Sequence, residues 1–204
     1  VGIDLINLDF SFYNITTSNG NNSFSYVYDA KEYSVSLPDG NYDVSDINSA
    51  LETAMYANSH YTLSSSGSPT YYLNLREFTA GNKIAFTSTV LPGTTDATTG
   101  FPSNTMKNLT MQLKVSTAGF ATFTGFPIAS YPAVAQNTTY NVYSTNIPIL
   151  DPISTILVRC NLCNSQGTAK SSNIIHCFTI PSTASFPSVV DIPINNPQYF
   201  DTSP

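Results

Sequence analysis

The sequence predicts an all-β protein, an antiparallel β-sandwich or jelly roll with one short helix inserted near residues 44–57. Three observations carry that reading. Apolar residues alternate with polar ones in many short runs. Gly, Pro, Asn and Asp clusters separate the runs roughly every 8–12 residues, the spacing of strand-and-turn proteins. Only one run has helical periodicity together with a start signal.

The elements follow in order. Ile3, Leu5, Leu8, Phe10 and Phe12 suggest a long first strand with a register change near Asn7. Asn19-Gly20-Asn21-Asn22 is a turn cluster. Phe24, Tyr26 and Tyr28 alternate, as do Tyr33, Val35 and Leu37, across a short turn at Asp29-Ala30. Pro38-Asp39-Gly40 is turn chemistry, with Gly expected to supply a positive φ. Asp43 stands at an N-cap with Asp46 three residues on, as in a capping box, and Tyr42 and Ile47 occupy the staple positions. Val44, Ile47, Leu51 and Met55 then recur at helical spacing.

Tyr61, Thr62 and Leu63 lead into a Ser/Gly/Pro loop at 64–69. Strands at 71–78 and 83–90 flank the hairpin turn Ala80-Gly81-Asn82. Residues 92–103 form a Gly/Thr/Pro loop. Residues 106–115 fit either a strand, through Met111, Leu113 and Val115, or a short helix, through Met106, Leu109 and Leu113. Phe120, Phe123 and Phe126 form an aromatic cluster, and 131–146 is a polar link between strands. Strong strands are expected at 147–150, 153–162 and 174–180. Beyond Pro181, prolines 187, 193 and 197 predict an extended arm or edge segment over 181–204 rather than a central strand. Nothing in composition divides the chain, so residues 1–204 are read as a single domain.

Composition restricts function. Charged residues make up 10% of the chain and the net charge is −6, with seven Lys and Arg together. No basic stripe exists for direct nucleic-acid binding. No run approaches the roughly 18 apolar residues of a membrane span, and the first residues show no signal-peptide pattern. Ser, Thr and Asn fill 71 of 204 positions, with 13 Tyr and 12 Phe. A neutral, Tyr-rich surface suits proteins that meet other protein surfaces.

The three cysteines, Cys160, Cys163 and Cys177, make no disulfide framework. The C-x2-C spacing followed by His176-Cys177 suggests zinc, but strand periodicity sends these residues to opposite faces. The expectation is therefore of plain thiols with Cys160 buried and no metal site. Sequons occur at Asn14, Asn21, Asn108 and Asn137. Of the two histidines, His60 beside the Ser-rich loop is expected in solvent, and His176 is expected as a core or interface residue sharing a face with Ile174 and Phe178. Asp39, Asp43 and Asp46 have turn and cap roles, and Arg76-Glu77 reads as a surface pair. No Gly-x-Ser-x-Gly elbow, phosphate loop or zincin motif occurs. No residue is assigned as catalytic, cofactor-binding or metal-ligating, and the protein is not expected to be an enzyme.

Five blocks, in order, resemble the capsid jelly-roll proteins of virophages, polinton-like elements and related large double-stranded DNA viruses. They are Phe12-Tyr13-Asn14-Ile15 with Asn21-Asn22-Ser23-Phe24; Leu37-Pro38-Asp39-Gly40-Asn41-Tyr42 with Asp46-Ile47-Asn48; Thr124-Gly125-Phe126-Pro127; Ile156-Leu157-Val158-Arg159-Cys160-Asn161-Leu162; and Ser172-Asn173-Ile174-Ile175 running through Phe178 to Pro193. The resemblance implies a single viral jelly roll or a fragment of a longer protein, because the double-jelly-roll major capsid proteins are far longer. It implies a penton (vertex) or minor capsid subunit located in the virion and assembled in the host cell. Its expected partners are its own copies, as a pentamer or trimer, and other capsid proteins. The alternative is a receptor- or glycan-binding head of a viral fibre or other attachment protein. Tyr-rich loops such as 131–143 would serve recognition there, whereas strand periodicity elsewhere has Tyr packing between strands.

Overall fold

Every strand pair below is antiparallel, and the backbone is read in two parts. The computed structural model describes residues 5–10, 13–93, 106–150, 155–159, 174–179 and 188–193, with side chains described within 13–93 and 106–150. The chain groups into two compact units, residues 13–150 and residues 1–12 with 151–204.

β1 (Leu5–Phe10) belongs to the second unit and is taken up with it below. In the 13–150 unit, β2 (Ser23–Tyr28) and β3 (Lys31–Ser36) form a hairpin. Asp29 and Ala30 both hold positive φ, 51° and 59°, which a two-residue hairpin requires and which Asn-Gly ordinarily supplies. Gly40 departs from expectation. It does not take a left-handed φ; it exchanges two backbone hydrogen bonds of 3.0 Å with Ile15. A Cβ there would come within 3.0 Å of the Tyr42 ring, so close approach explains the glycine.

α1 (Val44–Ala57) starts as read. The Asp43 side chain accepts from Asp46 N at 2.8 Å and the Asp46 side chain accepts from Asp43 N at 3.0 Å. Val44, Ile47, Leu51 and Met55 are its buried face. β4 (Thr62–Leu63) and β5 (Pro69–Thr70) close a small hairpin. β6 (Leu73–Phe78) and β7 (Lys83–Ser88) pair through a 3-10 turn at Thr79–Gly81, with Asn82 left-handed at φ 47°.

β8 (Gln112–Val115) decides the ambiguous run as a strand, and residues 106–108 form a turn. α2 (Ala118–Thr124) is a second helix where one was expected in total. Thr117 caps it by accepting from Phe120 N, and Gly125 ends it at φ 74° with its N–H on Ala121 O. β9 (Ala129–Tyr131) and β10 (Tyr140–Tyr143) follow, so the presumed polar link holds a paired strand. Residues 147–150, expected as a strand, are not one. Their backbone instead runs beside the end of α2, with Ile149 N donating to Phe123 O at 3.0 Å.

Two sheets organise this unit, in the orders β3-β2-β8-β9 and β10-β7-β6. A bridge between Val90 and Thr110 and a 2.7 Å hydrogen bond from Ser88 Oγ to Met111 O connect the end of β7 to the start of β8. α1 packs on β6 and on β3, an edge strand of each sheet. One core collects Phe24 and Tyr26 of β2, Leu113 of β8, Phe86 of β7, Leu51 of α1 and Phe120 of α2. Phe24 and Phe120 stack at 4.7 Å. Each such buried side chain contributes about 1.5–3 kcal/mol.

In the other unit β1 pairs with β13 (Ser188–Pro193), and β11 (Thr155–Arg159) pairs with β12 (Ile174–Thr179). The register of β1 runs unbroken from Leu5↔Pro193 to Phe10↔Ser188, so the expected shift near Asn7 is absent. Of the Pro-rich segment, residues 188–193 are described, and they form β13, one of the two strands of its sheet. Its six-residue pairing is more regular than its prolines suggested, because Pro193 falls at the strand's last position. A bulge opposite Val158 and Arg159 skips Ile175. Cys160 and Cys163 lie outside the described residues, as do the side chains of His176 and Cys177.

Candidate functional site

The most distinctive polar group in the core is His60, and the C-terminus of α1 puts it there. Asn58 is the C-cap and Ser59 is left-handed at φ 59°. Ser59 N donates to Tyr56 O at 3.0 Å, and His60 N donates to Met55 O at 2.8 Å. This is a Schellman motif with Ser in the position glycine usually takes, and it turns the next side chain back over the helix. His60 is consequently 1% exposed, which corrects its expected place in solvent.

Three tyrosines wall the imidazole. Tyr28 of β2 lies 4.2 Å away, Tyr33 of β3 meets it edge-on at 4.6 Å, and Tyr26 of β2 edge-on at 5.6 Å. His60 Nδ1 and the Tyr26 hydroxyl are hydrogen-bonded at 2.9 Å. Burial, aided by the nearby positive charge of Lys31, holds the imidazole down at about 4, so it is neutral at pH 7. Burial also raises Tyr26 above the ordinary phenol range, against a hydrogen bond from the Asn58 side chain. A buried neutral imidazole is thus bonded to a buried neutral phenol.

Asn14 forms a second hub. Its Nδ2 donates to Tyr42 O at 2.8 Å and Leu150 O at 2.9 Å, and its Oδ1 accepts from Tyr42 N at 2.9 Å. Asn21, another sequon residue, donates to Asn14 O and accepts from Thr16 N. Both side chains are buried and hydrogen-bonded, whereas those of Asn108 and Asn137 are exposed.

On the surface, Tyr56, Tyr61 and Tyr71 form a strip. Tyr56 stacks on Tyr61 at 4.9 Å and 14°, and Tyr61 meets Tyr71 at 6.3 Å. The tyrosines of 131–143 also have partners, and Tyr143 is 49% exposed. Tyr131 donates to Pro127 O and packs against Phe126, while Tyr143 lies on Phe78 at 4.6 Å. Arg76 and Glu77 make no ion pair with each other; among the described residues the ion pair joins exposed Lys114 and Glu32.

No known family model, curated protein or solved structure matches this chain. Among the described residues, no three His, Cys, Asp or Glu side chains gather to hold a metal. No helix among them is long and apolar enough to cross a membrane. The geometry therefore carries the functional argument by itself.

Proposed function

We propose that the chain is a non-enzymatic virion structural protein, a penton or minor capsid jelly-roll subunit of a double-stranded DNA virus. The reading takes residues 1–204 as one jelly-roll domain with the Pro-rich segment at about 181–204. One observation supports it above others: large apolar side chains remain outside a filled core. Ile128, Val134, Ile147 and Ile149 are 59%, 75%, 66% and 50% exposed. Hydrogen bonds from Asn146 N to Gly125 O and from Ile149 N to Phe123 O set residues 146–149 beside the end of α2 that leads into Ile128. Exposed apolar side chains on a surface this poor in charge fit permanent contacts with further subunits. The antiparallel sheets and the order of the sequence blocks agree with a jelly roll.

The test is mass spectrometry of purified particles, joined to sedimentation of the purified chain. The expected result is stoichiometric protein in virions and a pentamer or trimer in solution, alone or with other capsid proteins. Absence from virions overturns the proposal. The second reading, a glycan- or receptor-binding head, is favoured by the strip of Tyr56, Tyr61 and Tyr71, since aromatic faces stack on the apolar faces of sugars. A glycan array on which binding disappears with Tyr56→Ala would replace the capsid assignment with that one.

A further inference from the structure

The His60 box joins three elements at one point. β2 supplies Tyr26 and Tyr28, β3 supplies Tyr33, and the turn after α1 supplies the imidazole itself. The same turn leads, through Tyr61, into the β4–β5 hairpin. The C-terminal end of α1 is therefore held to the β3-β2-β8-β9 sheet through a ring that is neutral in place. We infer that His60 is an acid-sensitive latch: protonation expels the imidazole from between Tyr26, Tyr28 and Tyr33 and releases the end of α1 and the β4–β5 hairpin from the sheet.

The surroundings decide the sign. β2 offers two phenols, and Asp29, the acid next in the chain, acts on Tyr28. β3 offers Tyr33 and the cation Lys31, whose Nζ lies 5.1 Å from the Tyr33 ring centre. The last turn of α1, residues 54–57, carries one ionisable group, Tyr56, and that ring is 56% exposed. Burial disfavours the charged imidazole, and Lys31 opposes a second positive charge beside it. The Tyr26 hydroxyl can turn to accept from a protonated Nδ1, with Ala54 O at 3.4 Å available for its own proton. Aromatic faces also attract a cation. Neither replaces the hydration that the imidazolium gains outside.

The thermodynamics follow by linkage. In the open form His60 titrates near the ordinary value of about 6.5, and in the closed form near 4. Above the first value neither form takes the proton and the latch is at full strength. As pH falls from about 6.5 towards 4, the open form takes it first, and the opening constant rises about tenfold per pH unit. Below about 4 both forms are protonated and the effect levels off.

The experiment is hydrogen–deuterium exchange on the full chain at pH 7 and pH 4.5, corrected for intrinsic exchange rates. The expected result is that amides of residues 54–63 lose protection by more than tenfold at pH 4.5 and recover it at pH 7, while β7 stays protected. In His60→Asn, whose Oδ1 takes the place of Nδ1, the same amides should show no such acid step. Equal protection at the two pH values in the wild type, or the same step in the variant, overturns the latch. If His60→Asn does not fold, proton NMR of the wild type decides. A His60 signal of the folded protein that stays unprotonated down to about pH 4.5 supports the latch, and one that titrates near 6.5 with helix and hairpin intact overturns it.

Discussion

Ala30 and Ser59 are L-residues held in the left-handed region, one in the β2–β3 turn and one closing α1. A side chain there costs about 1–2 kcal/mol, which glycine avoids by lacking a Cβ, a gain partly offset by its greater freedom when unfolded. Ala30→Gly is therefore expected to raise stability by about 0.5–1 kcal/mol, read as a higher urea midpoint at unchanged m. Gly125 is the opposite case. It is left-handed at φ 74°, and an added Cβ would sit 2.3 Å from Asn146 O. Backbone cannot yield there without moving the 146–149 segment, so Gly125→Ala should lose at least 2 kcal/mol in the same measurement. Tyr26→Phe removes the hydroxyl that His60 Nδ1 meets at 2.9 Å and leaves a buried polar atom with one partner fewer. A loss of about 1–3 kcal/mol is expected at pH 7. Because burial raises Tyr26, its neutral form is the folded one, so the wild type should also weaken as pH climbs past about 10, and Tyr26→Phe should weaken less.

Among the elements, α1 was legible to the residue, because its signals are local: Asp43, Asp46 and four apolar positions at helical spacing suffice. Asp43→Ala should cost about 1 kcal/mol, measured by denaturation with far-UV circular dichroism as the readout. The β2, β3, β6 and β7 strands were legible from alternation for the same reason. α2 was missed although it carries a Thr117 cap, Phe120 and Phe123 three apart, and a closing Gly125. Seven residues fall short of the roughly 11 over which helical periodicity can be told from an aromatic cluster. What makes this segment a helix is tertiary: Phe120 stacks on Phe24, and Gly119 lets the chain pass against the turn at Asn19 and Gly20, where a Cβ would come within 2.3 Å of Asn19 O. Residues 147–150 failed in reverse. Their alternation is real, but Ile147 and Ile149 are exposed, and among the described residues no strand pairs with them. His60 was misplaced because burial depended on a Schellman turn whose usual glycine is Ser59, so the sequence carried no flag for it.

At the scale of the whole molecule, residues 13–150 hold the two described main sheets and their core, and the side chain of Asn14 reaches Leu150 O at the far end of that span. A fragment of residues 13–150 is expected to fold alone, giving one cooperative thermal transition with native-like near-ultraviolet circular dichroism. Asn14→Ala in it should lower stability by about 1–3 kcal/mol, since Leu150 O and Tyr42 N and O each lose a partner. A fragment without a cooperative transition would show that the two units form only together. The meeting of Tyr13 and Leu150 through Asn14 also bears on the order of events as the chain folds. The partners β1 and β13 stand at opposite ends of the sequence, and while the intervening residues, ~180 of them, are a random coil their encounter is statistically remote. Once residues 13–150 have condensed, their ends lie side by side, and the coil to be closed shrinks to the flanking segments. For a closure that scales as 1.5 RT ln n, replacing ~180 free residues by ~40 relieves roughly 1 kcal/mol of chain entropy. The terminal ladder is then a late event, with a rate set by whether the middle of the chain has already formed.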